Sequence, residues 1–145
     1  MEIQDIFNKI IKSKIGHYSG AGVIFFDGKK VLVLKKPNKC WGFPGGKPNE
    51  GEAPEQTARR ESEEEIGSCP GKFIKELPLK NDSRMFYSFI SLVDKPFDVS
   101  ISDEHLAYDW VDYTRLKKIK LQKYVYKFLK HIIENLDEVN RDIDL

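Results

Sequence analysis

Apolar residues fall on two periods along this chain, and each change of period marks an element. Ile3, Ile6, Phe7, Ile10 and Ile11 recur at helical spacing, which predicts a short amphipathic helix over residues 2–13. Ala21-Gly22-Val23-Ile24-Phe25-Phe26 and Val31-Leu32-Val33-Leu34 are runs of branched and aromatic side chains. They predict two strands, and the Asp27-Gly28 pair between them predicts a hairpin turn. The stretch from Trp41 to Gly51 is dense in proline and glycine and is expected to hold a strand end and a long loop.

A helix is predicted next, starting near Pro54, because proline suits a first turn whose N–H has no partner. Gly67 is placed to end it. Ala58, Ser62 and Ile66 form one ridge of this helix at i, i+4 and i+8. Lys72–Leu79 and Met85–Val93 read as strands around the polar turn Lys80-Asn81-Asp82-Ser83, and Leu106–Val111 as a further short strand. Leu121, Val125, Phe128, Leu129, Ile132, Ile133 and Leu136 mark a long amphipathic helix, and the polar tail over 137–145 is expected to fray. Strands and helices mixed in this order, with no repeat or linker, predict an α/β sandwich with a mixed sheet in a single domain over residues 1–145.

Composition narrows the class without naming a chemistry. The 145 residues suffice for one domain with a sizeable core, and 40% hydrophobic with 12% aromatic residues suits a folded chain. The net charge is +1, from 24 basic and 23 acidic side chains, so bulk charge offers no argument for nucleic acid or membrane binding. Cys40 and Cys69 are far apart and in no paired motif, so neither a disulfide framework nor a zinc site is expected. The first residues lack the order of a secretion signal. The apolar run around Gly20–Phe26 is too short to span a bilayer. A cytoplasmic, reduced protein is the expectation.

Candidate chemistry concentrates in the predicted helix after Pro54. Glu61, Glu64 and Glu65 lie on adjacent turns, and residues three and four apart share a helix face. By helix geometry the carboxylates span an arc of roughly 100° beside the Ala58–Ser62–Ile66 ridge. One flank then packs on a sheet while the next faces a cleft. Crowded carboxylates need a cationic offset, and a hard divalent ion such as Mg²⁺ or Mn²⁺ prefers carboxylate and phosphate oxygens. The segment therefore reads as a metal site for phosphate chemistry.

The same segment resembles a known family. Gly46-x5-Glu52-x7-Arg60-Glu61-Ser62-x-Glu64-Glu65-x-Gly67-Ser68 is similar to the Nudix box, G-x5-E-x7-R-E-U-x-E-E-x-G-U, where U is a bulky aliphatic residue. The charged and glycine positions match, and both U positions depart, as Ser62 and Ser68. Trp41-Gly42-Phe43-Pro44-Gly45-Gly46 looks like the lead-in of many members, and Ser102-Asp103-Glu104-His105 with Tyr108 and Trp110 resembles a later segment. The resemblance covers roughly residues 18–135. It implies an α/β/α sandwich and Mg²⁺- or Mn²⁺-dependent hydrolysis of a nucleoside diphosphate linked to another group. It implies Glu61 and Glu65 as main metal ligands and Glu64 as a ligand or general base. Arg60 then pairs with Glu52 and orients the carboxylates, Gly46 and Gly67 serve backbone geometry, and Glu104 is a base candidate outside the box.

Candidate substrate contacts are Phe43, Gly45, Gly46, Lys47 and Arg84. Trp41, Tyr87 and Trp110 read as core or cleft-wall aromatics, and His105 as a polar loop histidine. The expected substrate is a nucleoside triphosphate or dinucleoside polyphosphate. The alternatives are the 5′ triphosphate or cap of RNA, ADP-ribose or a nucleotide sugar, and a non-catalytic nucleotide-binding module. RNA rests only on a lysine stripe, Lys120, Lys123, Lys127 and Lys130, whose simple explanation is the solvent face of a helix. No membrane partner is expected, and monomer and homodimer both stay open.

Overall fold

The computed structural model describes Glu2, Ile3, Ile6 and residues 18–143. The helix expected over 2–13 falls outside them, apart from those isolated positions. The strands are β1 (Gly20–Phe26), β2 (Lys30–Lys35), β3 (Trp41–Gly42), β4 (Gly45–Gly46), β5 (Lys72–Asn81), β6 (Arg84–Leu92) and β7 (Ala107–Asp112). The helices are α1 (Pro54–Ile66), α2 (Lys123–Lys127) and α3 (Leu129–Ile143), with a 3₁₀ turn at Tyr113–Lys118.

β1 is buried along its whole length, which explains its unbroken apolar run. Successive side chains of a strand point to opposite faces. Ala21, Val23 and Phe25 join Leu32 and Leu34 of β2 with Ala58 and Ile66 of α1 on one face. Ile24 and Phe26 join Val31 and Val33 with Ile132, Leu136 and Val139 of α3 on the other. The sheet therefore has helices on both sides, an α/β/α sandwich. It is mixed, since β1 runs parallel to β6 from Gly20↔Phe86 to Phe26↔Leu92, while β5 pairs β6 antiparallel.

The strand order is β3-β2-β1-β6-β5, with β4 on β1 and β7 on β2. The β1–β2 hairpin pairs only at Phe26↔Val31 and then opens. β3 enters the opening on β2, at Leu34↔Gly42, and β4 enters it on β1, at Ala21↔Gly46 and Gly22↔Gly45. This wedge between two diverging strands positions the candidate site.

Helix α1 starts and stops as the sequence predicts. Pro54 occupies its first turn, the Gln56 side chain accepts the Ala53 N–H at 2.9 Å, and Gly67 closes the helix in the left-handed region at φ 82°. Ser62, at the position where the resemblance calls for an aliphatic, is fully buried, and its Oγ donates to the Ser68 carbonyl at 2.7 Å. The hydroxyl thus replaces lost apolar packing with a bond to the chain leaving the helix.

The structure corrects four boundaries. Trp41–Gly46 contributes two short strands, because its backbone pairs with β1 and β2. The turn between β5 and β6 is two residues, Asp82-Ser83, closed by the Asn81↔Arg84 pair with Asp82 at φ 56°. The C-terminal helix is two helices, broken at Phe128, whose backbone sits at φ −101° and ψ 11°. The polar segment from Asp137 is helix as far as it is described: α3 runs to Ile143, Val139 is buried, and Asp137 accepts a hydrogen bond from Tyr113. The lysine stripe is divided accordingly, with Lys123 and Lys127 on α2 and Lys130 on α3. No helix among the described residues is long and apolar enough to cross a membrane.

Candidate active site

α1 packs Ala58 and Ile66 on the sheet and so turns Glu61 and Glu65, one helical turn apart, toward the β3–β4 wedge. Both carboxylates line a cleft of about 690 Å³ together with Gly45, Gly46, Phe43 and Glu104. A Cβ on Gly46 would stand 2.5 Å from the Glu61 carboxyl carbon, so only glycine leaves that carboxylate its place. Glu65 reaches the strand itself, where its Oε1 accepts the Gly45 N–H at 3.0 Å.

Arg60 organises the acidic wall. Its Nε donates to Glu52 Oε2 at 2.7 Å, while Nη2 donates to Glu52 Oε1 at 3.0 Å and to the Lys47 carbonyl at 2.9 Å. Its Nη1 donates to Glu61 Oε1 at 3.0 Å and to Glu64 at 3.2 Å. Glu52 also accepts the Asn49 N–H and the Thr57 hydroxyl, each at 2.8 Å. The Arg60 guanidinium holds the Glu52 carboxyl down at about 2, and Glu52 in turn raises Arg60. This bidentate pair ties the loop before α1 to the helix.

Glu65 has a different cation. Lys36, just after β2, places Nζ 3.3 Å from Glu65 Oε2 and 3.0 Å from His105 Nε2. His105 Nε2 is itself 3.0 Å from Glu65 Oε2. Burial raises the Glu65 carboxyl against the pull of Lys36. Burial, with the Lys36 charge second, lowers the His105 ring to about 4. The ring is therefore neutral near pH 7: its Nε2 accepts from the Lys36 ammonium and its Nδ1 faces Ser102 Oγ. Its contact with Glu65 is no ion pair, the two acceptors being held side by side by the shared Lys36.

The predicted residues are only partly gathered. Glu61, Glu65, Glu104, Phe43, Gly45 and Gly46 share the cleft. Glu64 does not line it: its side chain is 59% exposed and held by Arg60. Lys47 is exposed and acts through its carbonyl, and Arg84 is exposed at the start of β6. Trp41 packs against the α3-side core, Tyr87 and Trp110 against the α1-side core. The sequence reading did not single out Lys36, Phe86, Gln122 and Tyr124, which also line the cleft, and it read His105 as a polar loop residue. No motif marks them, because elements remote in sequence bring them together. The His105 position beside Glu104 was the one available signal.

The donor set fits a hard divalent ion. Mg²⁺ takes one or two carboxylates and completes its shell with water and phosphate oxygens. Glu61 and Glu65 supply such a pair, although no group of three His, Cys, Asp or Glu ligands is assembled among the described residues.

Comparison with known proteins bears on most of the chain. The family model of the NUDIX domain matches residues 16–134. An 8-oxo-dGTP diphosphatase of Proteus vulgaris is 44% identical over 52 residues, 32% of this chain and 46% of that protein. Its namesake from Haemophilus influenzae is 43% identical over 61 residues, 38% and 45% of the two chains. The chain thus spans less than half the length of these curated relatives. A Nudix hydrolase of M. smegmatis, RenU, superposes with a TM-score of 0.74 at 16% identity, covering 85% of this chain and 88% of that one. A C. elegans Ap4A hydrolase gives 0.68 at 23% identity, covering 82% and 98%. At these identities the structural likeness speaks for the fold alone. The domain match across most of the sequence, on an α/β/α scaffold whose wedge carries the box carboxylates, shows that the chain belongs to the Nudix family.

Proposed function

We propose that this protein is a pyrophosphohydrolase that cleaves the diphosphate linkage of a nucleotide with Mg²⁺ or Mn²⁺. Nucleoside triphosphates, 8-oxo-dGTP among them, and dinucleoside polyphosphates are the leading substrates. The observation that carries the reading is the placing of Glu61 and Glu65 on one wall of a cleft whose strand wall is Gly45-Gly46. The names of the curated relatives support the triphosphate class.

Glu61 and Glu65 are the residues that would hold the cation, which supplies neutralisation of the diphosphate and activation of water. Arg60 keeps Glu61 in place from the side of Glu52, and the Gly45 N–H orients Glu65. The reaction adds water to one phosphorus and breaks its bridging P–O bond. A base must take the proton of that water. Glu104 suits the task better than Glu64, because it lines the cleft whereas Glu64 is committed to Arg60. Phe86, half-buried at the cleft, supplies an apolar wall for a nucleobase, with Phe43 buried in the core behind it.

The test is a hydrolysis screen over nucleoside triphosphates, 8-oxo-dGTP, dinucleoside polyphosphates, nucleotide sugars, ADP-ribose and triphosphorylated RNA. Each is run with Mg²⁺, with Mn²⁺ and with EDTA, and products are identified by mass. Turnover that EDTA abolishes is expected. Nucleotide binding without turnover at any metal concentration overturns the enzyme reading in favour of a binding module.

A further inference from the structure

Taking the cleft as a pyrophosphohydrolase site, we propose that Lys36 and His105 are positioning residues that clasp Glu65 and hold the loop carrying Glu104 against the cleft. Three separate parts of the chain meet at this point: the end of β2, the last turn of α1 and the loop before β7.

The contacts are buried and mutual. The Lys36 side chain is 14% exposed and that of Glu65 6%. The His105 side chain is 3% exposed. Lys36 Nζ faces the Phe43 carbonyl at 3.5 Å, Glu65 Oε2 at 3.3 Å and His105 Nε2 at 3.0 Å. An ammonium has three donors and no acceptor, so these partners account for all of them. Lys36 is therefore spoken for, although it lines the cleft, and is not a free phosphate contact.

The loop is tied at both ends to the same parts. Ser100 N–H donates to the Ile66 carbonyl at 3.4 Å and Ser102 N–H to the Glu65 carbonyl at 2.9 Å, which fixes the loop to α1. Leu106 N–H donates to the Lys35 carbonyl at 2.9 Å, which fixes it to β2. Within it, His105 N–H reaches the Ser102 carbonyl at 3.1 Å, and His105 Nδ1 lies 3.4 Å from Ser102 Oγ. Glu104 stands next to the residue these bonds pin. Burying an ammonium is costly unless it is paired, and a wholly apolar set in place of a buried ion pair often serves stability as well or better. A clasp that fixes Glu65 and Glu104 in one geometry gives the buried lysine a purpose that packing alone does not.

The test uses Lys36→Met, Lys36→Arg, His105→Leu and His105→Gln in the full chain, with folding checked by circular dichroism. Three quantities are read: kcat and KM on the nucleotide the wild type cleaves, Mn²⁺ affinity by electron paramagnetic resonance, and amide hydrogen exchange over residues 102–106. Lys36→Met and His105→Leu are expected to lower kcat and Mn²⁺ affinity about 10–100-fold. KM is expected to stay nearly constant, and the Ser102, His105 and Leu106 amides to exchange at least about tenfold faster. Lys36→Arg, which keeps a donor, and His105→Gln, which keeps an acceptor for it, should recover part of each loss. A raised KM with unchanged kcat makes Lys36 a substrate contact and overturns the proposal. Unchanged exchange and unchanged Mn²⁺ affinity in the folded variants overturn it too. Should Lys36→Met or His105→Leu fail to fold, exchange and metal affinity in the conservative pair decide the matter. A wild type that cleaves no nucleotide sinks the proposed function alone, because exchange and Mn²⁺ affinity still judge the clasp.

Discussion

Two cations divide the work of holding the box carboxylates. Arg60 takes Glu52, Glu61 and Glu64, and Lys36 takes Glu65. Changing Glu61→Gln or Glu65→Gln keeps the shape but removes a hard anionic donor, so kcat is expected to fall by about 100-fold or more. Steady-state kinetics at saturating Mg²⁺ checks this, with near-ultraviolet circular dichroism to show an intact fold. Glu52 plays the structural part. Its carboxyl is lowered from 4.5 to about 2, first by the Arg60 hydrogen bonds. A depressed folded-state value means that its stabilisation is complete above about pH 4.5 and is lost as pH falls toward 2. Glu52→Gln is therefore expected to cost about 2 kcal/mol near neutrality. In urea titrations the gap between wild type and variant should close between pH 4.5 and 2. A gap that stays constant across that range would show the ion pair is not its source.

At the scale of elements, the site depends on how closely β4 and α1 approach. A Cβ at position 46 would meet the Glu61 carboxylate at 2.5–2.7 Å, and that group is the far end of a flexible side chain. Gly46→Ala is therefore expected to displace Glu61, cutting kcat more than about tenfold while stability changes by less than about 1 kcal/mol. Equal losses of both would mean that the strand, not Glu61, gives way. The end of α3 is structural for a different reason. Val139 is 5% exposed against the core, and Asn140 Nδ2 donates to the Tyr113 hydroxyl at 3.2 Å. Val139→Asp places a carboxylate in that core and should cost more than about 2 kcal/mol, measured by urea unfolding. A frayed tail would tolerate the change.

For the molecule as a whole, the cleft exists because β1 and β2 part after one residue pair and the β3–β4 segment fills the gap. Strands that diverge expose backbone, and the wedge both pairs that backbone and brings Gly45 and Gly46 to α1. A ligand that bridges α1, the wedge and the Glu104 loop joins parts that otherwise separate on unfolding. Mg²⁺ with a non-hydrolysable nucleotide at about 100 times its Kd should add about 2.7 kcal/mol to stability. Thermal melts should show a rise in Tm that EDTA removes. No shift with any nucleotide at saturating metal would argue against a nucleotide site.

The sequence by itself determined the elements whose signals are local. The Pro54 start and Gly67 end of α1, the Asp27-Gly28 turn and the apolar run of β1 each follow from backbone preference or side-chain period within a few residues. It also determined the acidic spacing, because Glu61 and Glu65 share a helix face whatever lies around them. Only the tertiary structure decided which cation serves which carboxylate. Lys36, Glu65 and His105 are separated by 29 and 40 positions, and their meeting depends on strand order, not on spacing. The same holds for the C-terminal tail, which reads as polar yet continues α3, since burial of Val139 and the Asp137–Tyr113 bond outweigh a weak local pattern. Local propensity acts through neighbours in the chain, whereas burial and pairing act through neighbours in space, and the clasp at Glu65 belongs entirely to the second.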